Sequence, residues 1–311
     1  MTTARNILKR LLLLTVGGAI LLVGCVRDDR SSCRYPLPLR FSYTYNVEQA
    51  DLFDSEVQTL DLFLYDAKSG RLVARVNPDV ETLSPTNGYE WMVEPGVYDL
   101  VAWGGVSQRH HYEQPDLFSA ARMSVNRESD GETVLQQREH VFHAMSRGIR
   151  VTGDLLSERE LDLHKNTNDV RVEVTGLTEA QSRRLRCTIR SANGDYGFDN
   201  TCVSERPVTY YPEAGYADGT AVFDHTVLGL WPGDASWLNV ELGAEAAGRS
   251  VPVQLFDGSL SDLLLQKPGT DLDLEDEFTV RLEATQTSDG SYAVTIYVND
   301  WQVVDMSGGL G

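Results

Sequence analysis

Cys25 follows an apolar run from Leu11 to Leu22 that is interrupted only by Thr15, Gly17 and Gly18. The residues before it are Leu22-Val23-Gly24. Gly24 leaves the backbone open to a peptidase, and the sulfur behind it is a nucleophile able to carry a lipid as a thioether. Four other groups hold residue types that do chemistry elsewhere. His110-His111 is a pair of imidazoles. Asp271-Leu272-Asp273-Leu274-Glu275-Asp276-Glu277 puts five carboxylates into seven positions. Cys187 and Cys202 flank Asn193-Gly194-Asp195, a turn sequence. Trp91, Trp103, Trp231, Trp237 and Trp301 are the fifth group.

Each group has a bland reading beside the chemical one. Adjacent histidines on an extended chain point to opposite faces and chelate poorly. The acidic run offers hard oxygen ligands suited to calcium, yet it has neither the spacing nor the central glycine of a calcium loop and reads as a solvated charge run. Paired carboxylates also serve glycosidases, but their separation is not written in the sequence. The cysteine spacings contain no C-x-x-C, which argues against zinc. Cys187 and Cys202 are a bridge across a hairpin or two buried thiols. The tryptophans alternate with polar residues and read as core, the alternative being a surface on which glycans stack. G-x-S-x-G, H-E-x-x-H, the phosphate-loop motif and the dinucleotide fingerprint are all absent from the sequence. No catalytic residue, metal or cofactor is expected.

The N-terminus is more informative. Arg5, Lys9 and Arg10 precede the apolar run, which is too short for the roughly 20 residues that a spanning helix requires. This is the order of a signal peptide, and Leu22-Val23-Gly24-Cys25 resembles the bacterial lipobox. Cleavage between Gly24 and Cys25 leaves a chain that starts at an acylated cysteine. Two or more acyl chains, at about 0.8 kcal/mol per buried methylene, hold stably where one is marginal. Val26-Arg27-Asp28-Asp29-Arg30 then resembles the export tag that sends lipoproteins of the Bacteroidetes to the outer face of the outer membrane. Loss of residues 1–24 removes three basic residues and no acid, moving the formal charge from −19 to −22. A surface so acidic repels nucleic acid, and no such partner is expected.

From Pro36 onward the hydrophobic period is two. Leu60, Leu62 and Leu64 share one face of a half-buried strand. Asp66 to Gly70 reads as a turn, and Glu94-Pro95-Gly96 as the turn of a hairpin joining 89–93 to 97–103. Residues 107–138 read as loops around one or two short strands. Strands resume from Val170, and the last pair, 278–285 and 292–298, is joined through Ser288-Asp289-Gly290. Helical spacing is confined to 178–185 and 260–266. The fold class is all-β: antiparallel β-sandwiches, with chain length for two. The expected division is 1–24 signal peptide, 25–36 lipidated tether, 37–155 N-terminal sandwich and 156–311 C-terminal sandwich.

Several segments taken in order, LRFSYTYN, VQTLDLFLYDAKSGRLV, EPGVYDLVAWGG, LHKNTNDVRVEVTGL, ANGDYGFDNT and DEFTVRLEATQTSDGSYAVTIYVNDWQVVD, resemble the FimB-type anchor lipoproteins of Bacteroidales type V pili. The resemblance covers roughly residues 25 to 305 and departs at Arg34, where a proline is expected. It implies two tandem transthyretin-like sandwiches and a non-enzymatic role in attaching a fimbrial shaft to the outer membrane. It also implies shaft subunits as partners by β-strand addition and outer-membrane lipid as partner of the acylated N-terminus. The competing reading is a surface lipoprotein that captures glycan or another extracellular ligand. Its mark is a set of tryptophans exposed in one patch.

Overall fold

A computed structural model describes residues 33–83, 85–134, 138–153, 158–203, 205–244 and 252–306. Residues 1–32, Gly24 and Cys25 among them, lie outside the described residues. The first eleven strands are β1 (Tyr35–Ser42), β2 (Leu60–Asp66), β3 (Leu72–Val76), β4 (Gly88–Val93), β5 (Gly96–Gly104), β6 (His110–Glu113), β7 (Arg122–Val125), β8 (Thr133–Val134), β9 (Phe142–Val151), β10 (Arg159–Asp162) and β11 (His164–Lys165). They are followed by β12 (Thr167–Thr175), β13 (Leu185–Ser191), β14 (Asp195–Gly197), β15 (Val208–Tyr210), β16 (Glu213–Ala217), β17 (Thr220–Leu228), β18 (Trp237–Leu242), β19 (Val253–Ser259), β20 (Glu277–Gln286), β21 (Tyr292–Val298) and β22 (Trp301–Met306). Among the described residues α-helix is limited to α1 (Phe53–Glu56), α2 (Glu179–Ser182) and α3 (Leu260–Leu264), with a single 3-10 turn at Val80–Thr82. Both α2 and α3 fall where helical spacing predicts them. Thr178 and Gln181 close a capping box on α2, satisfying backbone donors that a helix start leaves open.

The first lobe pairs a three-stranded sheet, β10-β1-β4, with a five-stranded sheet, β11-β9-β5-β2-β3. The second pairs a six-stranded sheet, β16-β17-β12-β20-β21-β22, with the five-stranded β19-β18-β13-β15-β8. Most ladders are antiparallel, but β1–β10, β12–β20 and β8–β15 run parallel. Parallel neighbours require long crossovers, so period-two patterning alone does not reveal them.

Four expectations need correction. Glu94-Pro95-Gly96 does not close a hairpin, because β4 pairs with β1 whereas β5 pairs with β2 and β9. The turn carries the chain from one sheet to the other, so that Trp91 and Val93 meet Tyr98 and Leu100 in a common core. Gly96 is needed for space: an added Cβ would lie 2.6 Å from the Tyr98 ring, whose hydroxyl donates to the Glu94 carbonyl at 2.9 Å. Asn193-Gly194-Asp195 likewise crosses between sheets, β13 pairing with β15 and β18 while β14 pairs with β7.

The division at 155/156 also shifts, since β10 and β11 pair with β1 and β9 of the first lobe, and Leu161 and Leu163 are buried in its core. Conversely, β6 and β7 join β14 in a small fifth sheet. That sheet lies over the second face of β2 and β5, which is why β2 is buried on both faces rather than half-buried. Leu60, Leu62 and Leu64 enter the first core. Phe63 and Tyr65 enter a larger one together with Met123, Phe198 and the second lobe's strands. Phe63 meets Phe198 edge to face at 4.9 Å between centroids, a geometry the ring quadrupoles favour.

Candidate functional site

The acidic run has found partners on the other lobe. Its segment leads into β20, and the crossover strands β1 and β11 bring Tyr43, Tyr45, His164 and Lys165 against it. Tyr43 donates its hydroxyl to Asp276 Oδ2 at 3.0 Å, and Lys165 Nζ stands 3.4 Å from the same oxygen and 3.9 Å from Glu56. Tyr45 donates to Asp273 Oδ2 at 3.2 Å, while its ring stacks on His164, whose Nε2 lies 3.0 Å from Asp273 Oδ1. Glu275 accepts from the Asp271 backbone N–H at 3.0 Å and faces Lys267 at 3.5 Å. Burial, with Lys165 and Tyr43 opposing it, raises the Asp276 carboxyl above the ordinary carboxylate range. Burial next to Asp276 also drives the Tyr43 phenol up. These carboxylates hold the lobes together. Among the described residues no group of three or more His, Cys, Asp or Glu side chains is arranged to hold a metal ion.

His110 is buried and His111 exposed, on opposite faces of β6 as the extended chain dictates. His111 Nδ1 meets Asn126 Oδ1 at 2.7 Å and Nε2 meets Glu113 at 3.2 Å. Glu113 in turn receives Arg206 at 3.0 Å. Arg206 also donates to Asp195, which Arg127 holds from a second side at 2.8 and 3.2 Å. Asp195 is almost fully buried. Burial opposes its ionisation, but hydrogen bonds from Arg127 and Arg206 outweigh it and hold the carboxyl below the ordinary range. This network joins β6, β14 and the segments that follow β7 and precede β15, and it was not legible in the sequence.

No disulfide joins Cys187 to Cys202 in the structure. Cys187 Sγ lies 3.4 Å from His225 Nε2, and Cys202 Sγ is directed to the Ala192 carbonyl at 3.7 Å. Of the two alternatives for the pair, separate thiols is the one observed. Desolvation raises the Cys187 thiol and pushes His225 down to about 3, so both stay neutral. A neutral thiol is a poor nucleophile.

The tryptophans divide. Trp91 and Trp103 are core residues, whereas Trp237 is 46% exposed on β18 and Trp301 55% exposed on β22. The last two belong to different sheets and do not form one stacking platform. What remains exposed is backbone. The six-stranded sheet ends in β16 on one side and β22 on the other, and such edges offer unpaired N–H and C=O groups to an incoming strand. An open trough of about 670 Å³, lined by Arg138, Asp169, Arg171, Glu213, Asp224 and Glu277 among others, runs along its outer face. Among the described residues no helix is long and apolar enough to cross a membrane.

The fold is shared with solved structures from Porphyromonas and Bacteroides species. The fimbrial anchor protein Mfa2 from Porphyromonas gingivalis superposes with a TM-score of 0.72 at 21% identity, over 88% of this chain and all of that one. A Bacteroides thetaiotaomicron protein, described as a candidate polysaccharide-binding protein, gives 0.72 at 21% identity over 87% of this chain and 97% of that one. A candidate adhesin from Bacteroides ovatus gives 0.71 at 17% identity, over 86% and 94%. Among curated protein sequences nothing matches. Residues 30–307 match the model of the fimbrillin-A associated anchor proteins Mfa1 and Mfa2, and the chain belongs to that family of fimbria-associated, cell-surface structural proteins.

Proposed function

We propose that this protein is a non-enzymatic anchor that holds a fimbria to the outer membrane through lipid on Cys25 and engages shaft subunits by β-strand addition. The observation that carries the reading is the family match from residue 30 to residue 307, with a lipobox cysteine just ahead of it. From Cys25 to Tyr35, where β1 begins, the chain reaches at most roughly 35 Å when fully extended. A lipid on that cysteine therefore keeps the first lobe close to the bilayer. The charges of residues 27–30 keep this link in water, and their resemblance to the export tag supports the outer face of the membrane. Within the fold, Asp276 is held by Tyr43 and Lys165, and Asp195 by Arg127 and Arg206, which fits a structural protein.

Metabolic labelling with a palmitate analogue tests the lipid step. The native protein takes up label, partitions with outer membranes and is cleaved by protease added to intact cells. Cys25→Ala takes up none and is soluble or keeps its signal uncut. Label that persists in Cys25→Ala contradicts the assignment.

A further inference from the structure

The two edges of the six-stranded sheet are unlike. The ladder to β22 is bulged between Ile296 and Tyr297. β16, at the other edge, pairs with β17 in unbroken register from Glu213↔Asp224 to Ala217↔Thr220, and all five of its residues are exposed. Asp218 and Gly219, with φ of +52° and +82°, make the two-residue turn that closes this hairpin. In such a hairpin the pair flanking the turn is hydrogen-bonded and pairs alternate from there. Ala217, Gly215 and Glu213 therefore bond to β17, and Ala214 and Tyr216 turn their N–H and C=O groups outward. Edge strands are normally blunted by lysine, proline, a bulge or a covering loop. β3 is so covered, Leu72 N–H donating to the Asp116 carbonyl at 3.0 Å. β16 carries only small side chains beside Tyr216 and Glu213, and a Cβ added at Gly215 meets nothing within 4 Å.

The side chains around this edge define what fits it. Ala214 and Tyr216 stand opposite Phe223 and Ala221, both core residues, so an added strand must present apolar side chains on that face to cover the half-exposed Tyr216 ring. On the other face Glu213 stands opposite Asp224, with Asp169 and Glu277 in the same trough and Arg138 and Arg171 among them. Carboxylates outnumber guanidiniums there, which favours lysine or arginine on the incoming strand. A second copy of this acidic chain is disfavoured by like charge.

Resting on the anchor reading above, we propose that β16 is the acceptor edge onto which an extended fimbrial-subunit segment, apolar at alternate positions and basic between them, adds as a further strand. The test uses the full-length protein in cells that assemble the fimbria, with photoreactive benzoylphenylalanine replacing Tyr216 or, separately, Trp301. The expected result is a crosslink from position 216 to a fimbrial subunit, mapped by mass spectrometry to a segment of that pattern. Ala214→Pro removes one outward N–H while leaving the β16–β17 ladder, and it lowers the yield up to about tenfold, the factor set by losing that one bond. Gly215→Ala leaves the yield unchanged. A circular dichroism spectrum and melting temperature like those of the native protein verify that Ala214→Pro is folded. Crosslinking to a fimbrial subunit from 301 and not 216 overturns the edge assignment and leaves the anchor reading standing. A crosslink from 216 to a second copy also overturns it. No fimbrial subunit at either position removes the anchor reading together with the edge.

Discussion

The Tyr43 hydroxyl lies 3.0 Å from Asp276 Oδ2 across a sequence separation of 233 residues, joining the end of the first lobe's central strand to the acidic run of the second. Tyr43→Phe removes a hydrogen bond to an ionised acceptor and is expected to cost about 1.5 to 3 kcal/mol in urea denaturation. Because both side chains belong to one network with Lys165, Tyr43→Phe and Asp276→Ala are expected to be non-additive by at least about 0.5 kcal/mol. Strict additivity would show that the contact does not couple the lobes.

Buried histidine makes stability depend on pH. Desolvation takes His225 from 6.5 down to about 3, so its folded-state pKa is depressed. The unfolded chain binds a proton below pH 6.5 that the folded chain refuses until about 3, and stability is lost as pH falls through that window. His143 behaves alike, pushed down to about 4. Each contributes a slope of about 1.4 kcal/mol per pH unit between 6 and 4. His225→Leu is expected to reduce the slope in urea titrations from pH 7 to 4.5 by that residue's share, and an unchanged slope would contradict the assignment.

Asp195 carries the opposite kind of pairing. With its carboxylate removed, Arg127, whose side chain is 8% exposed, keeps a charge without its main partner. Asp195→Asn is expected to cost about 3 to 5 kcal/mol at neutral pH. Asp195 has a folded pKa held below its ordinary 3.8, so its contribution is complete above 3.8 and lost as pH falls through the folded value. The melting temperatures of native protein and Asp195→Asn therefore converge at low pH. A difference that stays constant into acid would rule out the pairing.

The strands with clean alternation, β2, β5, β12, β20 and β21, were legible in the sequence because each buries at least one face. The turn at Asp289 was legible for a local reason: Asp289 accepts from Ser291 N–H and Thr287 Oγ1 within the turn itself. What was not legible is long-range. Nothing near Glu94 shows that the chain changes sheet there, since Tyr98 locks the corner and reads as an ordinary alternating residue. Nothing in 110–125 shows that Tyr112 and Met123 will lie over β2. The acidic run was visible as charge, but its partners Tyr43 and Lys165 lie more than a hundred residues away. Local pattern carries burial, and pairing is decided by the whole chain.

The thiols make a chemical prediction. On a lipid-free chain with Cys25→Ser, Cys33 is exposed and Cys187 buried. Iodoacetamide is expected to modify Cys33 in the native state and Cys187 only after unfolding. The intact mass should not change on reduction, because no disulfide joins Cys187 to Cys202. A gain of two hydrogens on reduction would restore the bridge.

The central claim is that lipid on Cys25 fastens a filament to the cell. Immunogold electron microscopy of intact cells, native protein against Cys25→Ala, tests it most directly. The expected result is label at filament bases in the native strain and filaments shed into the medium by the variant. Label spread evenly over the surface with no relation to filaments, and filaments retained by Cys25→Ala, would contradict it.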